Sequence, residues 1–433
     1  MRPPLPDAVA TLHRKHYRAL VAPLIRMLGG FEAAEDVVQD TFAQALETWS
    51  REGIPEQPLA WLRRVAKNRA VDRYRRRARW QDKEAALQAE TETTFELELE
   101  ALIDEAALRD DSLRLVFTCC HPSLSPDAQI GLTLRTVCGL TSEQVARAFL
   151  LATPTLQQRL VRARKKIDAA KIPYVVPNAE QLPMRLAAVL RTLYLVFNEG
   201  YGATDGESLV RRELCDEGIR LGRLVVDLMP GEPSPKGLLA LMLLHHARRD
   251  ARTDDAGDLV TLEDQDRSLW DRAAIDEALP LVEAALLGRP ASSYAIEAAI
   301  AALHARAETP EQTDWRQITA LYAILAADGN PVVQLNHAVA VAMAGNVAAG
   351  LAQLDALREA LPRYHLLPAA RADLLRREGR DHEAAKAYRE ALALVTQPVE
   401  RRYLSRRLDA LSRENSEKDH GPVDPPPPGS SGR

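Results

Sequence analysis

The chain has 433 residues, too many for one ordinary hydrophobic core, so two or three domains are expected. With 46% hydrophobic and 27% charged residues it reads as a soluble globular protein, which excludes a low-complexity or membrane-embedded chain. The net charge of −5 hides an asymmetry, basic helices in the first part and acidic stretches elsewhere, and so does not exclude nucleic acid as a partner.

Leu12, Tyr17, Leu20, Val21, Leu24 and Leu28 predict a first helix that ends at Gly29-Gly30. Ala34, Val37, Val38, Thr41, Phe42, Ala45, Leu46 and Trp49 then follow the i, i+3, i+4, i+7 pattern without a break. The other face of that second helix carries Glu35, Asp36, Gln39, Asp40, Gln44 and Glu47. A polar loop, SREGIPEQP, leads to the stretch around which the chain is organised, WLRRVAKNRAVDRYRRRARW from Trp61 to Trp80. Here Leu62, Val65, Ala66, Ala70 and Tyr74 share one face, while Arg63, Arg64, Lys67, Asn68 and Arg75 share another. Asp72 is the only acid in the stretch. Basic residues at a helix C-terminus complement its dipole, at roughly 0.3–1 kcal/mol each, which does not account for so many. A basic stripe beside an apolar face fits a phosphate-binding helix; a solvated face is the plainer alternative.

Residues from Gln81 to Glu105 carry nine acids against Lys83 and read as a solvated linker. About 30 extended residues reach ~95 Å, so the modules on either side need not touch. Next, Ser125-Pro126 opens a helix that Gly139 closes. Thr141 and Gln144 fit a capping box before a short helix, and Thr153-Pro154 opens another. That last helix turns Leu156, Leu160, Ala163 and Ile167 inward and leaves Thr155, Gln157, Gln158, Arg159, Arg162, Lys165 and Lys166 outside. Two short helices, a tight turn and an exposed face of Gln, Thr and Arg describe a helix-turn-helix, since Gln can bond adenine and Arg guanine. From about Gln181 to Leu411 the chain reads helical throughout, and Gly345 and Gly379 mark a 34-residue repeat of tetratricopeptide type. Residues 254–266 read as an acidic loop, and the tail from Ser412 as disordered.

Together AEDVVQDTFAQALE, PLAWLRRVAKNRAVDRYRRRAR and DDSLRLVFTCCHPSLSPDAQIGLTLRTVCGLTSEQVARAFLLATPTLQQRLVRARKKI resemble regions two and four of extracytoplasmic-function sigma factors. The helical extension resembles a subgroup with a tetratricopeptide-like domain in place of a separate anti-sigma factor. The resemblance implies an all-α fold with region two at 7–79, an acidic linker at 80–108, region four at 109–172, a regulatory domain at 180–411 and a disordered tail at 412–433. It implies that Glu35, Asp36, Gln39 and Asp40 meet core RNA polymerase. It implies that Arg63, Arg64, Lys67, Asn68, Arg73, Arg75, Arg76 and Arg77 hold and read the −10 element. Thr155, Gln157, Gln158, Arg159, Arg162, Lys165 and Lys166 would then read the −35 element. Phe42 and Trp61 are expected in the core.

The expected partners are core polymerase, promoter DNA and the chain's own extension, with no catalytic residue and no cofactor. Four cysteines form no disulfide framework, the N-terminal residues lack a signal-peptide core, and the longest apolar run, Leu238 to Leu244, cannot span a bilayer; a cytoplasmic protein is expected. Cys119-Cys120-His121 with Cys138 lacks CxxC spacing, so no metal is expected. His245-His246 and the Asp254, Asp255, Asp258 group also lack ligand spacing. Asn198-Glu199-Gly200-Tyr201 has no assigned chemistry. A one-component helix-turn-helix regulator is the main alternative; a helical-repeat scaffold or an enzyme hidden in the extension are others.

Overall fold

A computed structural model describes residues 5–80, 105–149, 151–201 and 212–419. Among them the fold is all helical apart from one isolated bridge, Thr253 to Leu259. The contacts divide the chain into two units, one of residues 1–198 with 216–230 and one of 199–215 with 231–433.

The first unit is built on α1 (Leu5–Leu28). Tyr17, Leu20, Val21 and Leu24 are each no more than 2% exposed, and Gly29 turns the chain with φ +71°. This left-handed value is one that glycine adopts without a Cβ clash. The helices α2 (Phe31–Glu52) and α3 (Pro58–Trp80) pack on α1 and on each other. Their apolar stripes bury Val37, Val38, Phe42, Leu62, Ala66 and Ala70. Trp61 is half-buried, with its ring 5.2 Å from that of Trp49. After the acidic segment, most of which lies outside the described residues, comes α4 (Glu105–Cys119), which also packs on α1.

α5 (Pro126–Leu132) runs into one π-helical turn, Thr133–Val137, before α6 (Ser142–Ala148) and α7 (Thr153–Ala169). The capping box forms: the Thr141 N–H donates to Gln144 Oε1 at 2.8 Å and the Gln144 N–H to Thr141 Oγ1 at 3.2 Å. Thr153, expected as a cap, is instead the first residue of α7, with Ala152 at the N-cap position. Gly131 brings α5 close to α7, where a Cβ would lie 3.4 Å from Leu160.

The first unit also takes in α8 (Leu182–Tyr201) up to Asn198 and α9 (Arg212–Leu228) from Asp216, residues that the sequence reading placed in the extension. The side chain of Arg185 supplies part of the reason. It is only 5% exposed and donates to the Phe117 carbonyl of α4 at 2.8 Å.

The second unit begins with α10 (Pro233–Ala247), which contains the longest apolar run of the sequence; Leu238 through Leu244 are all buried. A helix apolar all round belongs inside a protein. It is flanked by α11 (Arg272–Leu286) and α12 (Ser293–Arg306), and Gly237 lets α12 cross it, since a Cβ there would lie 2.8 Å from the Ala295 nitrogen. Then follow α13 (Trp315–Ala326), α14 (Pro331–Met343), α15 (Val347–Ala356), α16 (Leu366–Arg377), α17 (Asp381–Leu394) and α18 (Pro398–Asp419).

Polar caps set many of these helix starts: Asp271, Ser292, Asp314, Asn330 and Asn346 each accept an N–H of the first turn. Gly345 and Gly379, at φ +104° and +70°, sit at equivalent turns of two successive helical hairpins. The acidic loop is pinned to α18: Arg402 donates to Asp258 at 2.6 Å, and Arg406 lies 3.3 Å from the same carboxylate. α18 continues through Asp419, into the segment expected to lack structure.

Candidate nucleic-acid interface

The outward face of α7 is largely polar, with Val161 its one exposed large apolar residue. Leu156, Leu160, Ala163 and Ile167 are 3–4% exposed and turn inward. Thr155, Gln157, Gln158, Arg159, Arg162, Lys165 and Lys166 are all exposed. The structure therefore gathers every residue expected to read the −35 element on one solvent face. Arg159 donates to Asp127 at the start of α5, 3.1 Å away, which steadies its side chain on that face. An exposed pair of this kind contributes only about 0–1 kcal/mol and can exchange for a base or phosphate.

The second set is less uniform. On α3, Arg64 and Asn68 are exposed, whereas Arg63, Lys67, Arg73 and Arg75 are half-buried. Arg73 donates to Asp36 at 2.9 Å, and Arg69 to Asp40 and Gln44 at 3.2 and 3.1 Å. The acidic face of α2 and the basic face of α3 thus meet along one seam, and each neutralises part of the other. The side chains of Arg76 and Arg77 lie outside the described residues.

Of the residues expected to meet polymerase, Gln39 and Asp40 are exposed, Asp36 is half-buried and Glu35 is only 6% exposed. Phe42 is 5% exposed and packs in the core. Glu35 points to a partner that sequence reasoning missed: Arg164 of α7 donates to Glu35 Oε1 at 2.7 Å. No periodicity links residues 129 positions apart.

Three further contacts bind α1 to α4, to the π-helical turn and to the segment after α7. Arg135 stacks over the Tyr17 ring at 5.4 Å. The Tyr17 hydroxyl is pushed well above its ordinary value by burial and then by Glu35. Arg26 donates to the buried carboxylate of Asp111 at 3.0 Å. Tyr174 donates from its hydroxyl to the Ala22 carbonyl at 2.9 Å.

The extension joins the same knot. Glu217 and Arg220 of α9 bond each other beside Cys138, whose thiol burial pushes up, followed by Glu217. Arg18 of α1 is held down to about 10 by burial and then by Arg220. Gln129 of α5 accepts from Thr192 of α8 at 3.3 Å and donates to the His121 carbonyl at 2.8 Å. Cys119, Cys120 and Cys138 are fully buried, and among the described residues no group of three His, Cys, Asp or Glu could hold a metal. Tyr201, from the unassigned Asn-Glu-Gly-Tyr motif, is a packing residue of the second unit: the Arg252 guanidinium lies 3.8 Å from its ring centroid, with Arg248 on its hydroxyl.

A model of sigma-70 region 2 matches residues 12–80, and one of sigma-70 region 4 matches 114–167. A family of unknown function (DUF6596) matches 185–286, across the boundary between the two units. An uncharacterized protein of Rhizobium meliloti is 45% identical over 90% of this chain and 93% of its own length. The "Probable ECF RNA polymerase sigma factor SigI" of Mycobacterium tuberculosis is 26% identical over 40% of this chain and 59% of its own. The RNA polymerase sigma-H factor of Pseudomonas aeruginosa is 28% identical over 37% and 83%. No solved structure matches. No described helix is long and apolar enough to cross a membrane.

Proposed function

Because the chain belongs to the extracytoplasmic-function group of the sigma-70 family, we propose that it binds core RNA polymerase, reads the −35 and −10 promoter elements and promotes strand opening under the control of its own extension. The observation that carries the promoter reading is the outward face of α7, where seven residues able to bond bases or phosphates are exposed together. Gln and Arg at the start of such a helix suit major-groove edges; Lys165 and Lys166 suit the flanking phosphates. On α3, Arg64 and Asn68 stand free to meet the −10 element, and Gln39 and Asp40 of α2 face outward toward polymerase. Strand opening requires a base to leave the stack, at a cost of a few kcal/mol, and a protein surface to receive it. The polar loop before α3 is the surface we assign to that base. Action in the cytoplasm, where core polymerase and promoter DNA meet, is part of this reading.

Control by the extension is supported by α8 and α9, which pack in the same unit as regions two and four. The −35 and −10 elements lie about 25 base pairs apart, or about 85 Å at 3.4 Å per step. A folded body of about 210 residues is roughly 45 Å across. The closed unit therefore cannot hold both elements at once, and regions two and four must part to act. Arg185 and Thr192 fasten the extension to region four, and Glu217 with Arg220 lies beside both Cys138 of region four and Arg18 of α1, so these are the groups we assign to the clamp. The later helical hairpins, with their 34-residue offset, are then a tetratricopeptide-like sensor domain that controls this clamp.

The test is in-vitro transcription from a genomic promoter library with core polymerase and the full chain. Transcripts that depend on the chain are expected, and Arg185→Met is expected to change their yield per folded molecule. No chain-dependent transcript would end the sigma reading; an unchanged yield would end the clamp alone. A one-component repressor or activator would bind DNA yet leave core polymerase unbound.

A further inference from the structure

The second unit holds a cavity of about 410 Å³, within the range of small-molecule sites. Its wall comes from the loop at 261–263, the turn at 310–313 and helices α12, α13, α14, α16 and α18, all of which come together only through folding. One side is apolar and partly aromatic, formed by Trp315, Val339, Met343 and Tyr403.

The other side holds a buried guanidinium that forms no ion pair among the described residues. Arg267 is 8% exposed and donates to two neutral acceptors, the carbonyls of His304, at 2.7 Å, and of Ala307. Its Nε has no partner, and no carboxylate forms an ion pair with it among the described residues. A buried guanidinium held by two carbonyls and the face of the Trp270 ring, 4.9 Å away, still lacks a carboxylate at ion-pair distance. His304 lines the same wall, its ring 5.2 Å from that of Trp315. Burial, then Arg248 and Arg267, holds it down to about 4, so at neutral pH it adds a neutral polar edge rather than a second cation.

None of the three carboxylates of the cavity forms an ion pair with Arg267 among the described residues; exposed Glu311 acts on it only at longer range. Asp373 accepts from Arg376 and Arg377, each at 2.9 Å, and Glu263 is bonded by Arg377. Arg407, on the same side, donates to the Tyr403 hydroxyl at 3.0 Å and lies 3.5 Å from Asp264. Arg267 is therefore the guanidinium of this wall that no carboxylate holds at ion-pair distance among the described residues.

We propose that this cavity binds a small amphipathic organic anion, its carboxylate or phosphate head at Arg267 and His304 and its planar apolar body against Trp315, Val339, Met343 and Tyr403. This site is independent of the transcription reading, because binding is measured on the chain alone. Titration calorimetry on the full chain uses phenylacetate and phenyl phosphate as probes, phenylethylamine as the cation of the same body, and inorganic phosphate as a head without a body. A fragment of about ten heavy atoms is expected to bind with a Kd between about 0.1 mM and a few mM. The amine and inorganic phosphate are expected to bind at least about tenfold more weakly. The preferred anion shows whether the head is carboxylate or phosphate.

Met343→Trp fills the apolar side and is expected to weaken binding at least about tenfold; Val339→Phe gives the same reading if the first variant fails to fold. Arg267→Met is expected to remove the preference for anions. Absence of saturable binding below about 20 mM, equal binding of the amine, or equal binding of inorganic phosphate would overturn the proposal. So would binding untouched in a folded cavity-filling variant.

Discussion

Arg164 of α7 and Glu35 of α2 form a 2.7 Å ion pair that joins the helix expected to face DNA to the helix expected to face polymerase. The Glu35 side chain is 8% exposed and that of Arg164 21%. Removing one partner of a buried pair leaves the other charge without compensation, which costs up to about 3–5 kcal/mol when burial is complete. Arg164 keeps some water, so Arg164→Met is expected to cost about 2 kcal/mol and Glu35→Gln somewhat less. The double variant should recover part of the loss. Urea unfolding of the four proteins checks this; additive losses would mean that the two groups do not couple.

Gly139 is the tightest approach of the helix-turn-helix to α1. It sits at φ +72°, and a Cβ there would lie 2.9 Å from the Cβ of Tyr17, which is fully buried and cannot move aside. Gly139→Ala is therefore expected to destabilise the first unit by more than about 1 kcal/mol. Gly29 has a similar φ but open space around it, so Gly29→Ala should cost only the backbone strain, about 1 kcal/mol. Hydrogen exchange across α1 and α7 distinguishes the two, and equal effects would contradict the contact.

Residues of the α7 face should divide by role. Arg159→Ala is expected to cost about 1–3 kcal/mol and to relax preference at one base pair. Lys166→Ala should weaken all sequences alike and lower the salt slope by about one. Fluorescence anisotropy of the full chain with core polymerase on promoter duplexes, at several salt concentrations, separates these outcomes.

What the sequence disclosed here was local. The stripes of α2 and α3, the Thr141–Gln144 box and the turns at Gly345 and Gly379 depend on residues within a few positions of each other. Periodicity and capping report such neighbours directly. The α7 face was legible for the same reason, since its exposed residues are those its apolar stripe leaves over. Arg164 was not, because a helix pattern says which way a side chain points but not what it meets. The same holds for Arg185, whose partner is a carbonyl of α4, and for the meeting of the local Glu217–Arg220 pair with Cys138 and Arg18. Tyr201 stood out in sequence, yet its role is set by Arg248 and Arg252, some 50 residues later.

Buried ionisable groups of the second unit give a pH signature. Burial alone raises the Glu297 carboxyl from its ordinary 4.5 to about 7. Between these values the folded state binds more protons than the unfolded, so stability present below pH 4.5 is lost as pH rises through 7. Glu297→Gln cannot ionise and escapes that loss. The variant should match the wild type's pH trend below 4.5 and gain about 2 kcal/mol on it by pH 8. His245 and His304, depressed to about 3 and about 4, act in the opposite sense and remove stability as pH falls below 6.5. They are common to both proteins and cancel in the difference. A difference in stability that does not change with pH would show Glu297 to be exposed.

Opening of the first unit is most directly read as a distance. The four native cysteines are buried, so dyes can be placed at Glu52→Cys, at the end of α2, and Asp168→Cys, near the end of α7. In the free chain, energy transfer should report a separation no larger than the unit itself, about 45 Å. With core polymerase and promoter duplex it should fall as the two modules move toward elements about 85 Å apart. Transfer that stays high in a complex that is making transcripts would contradict the requirement for opening.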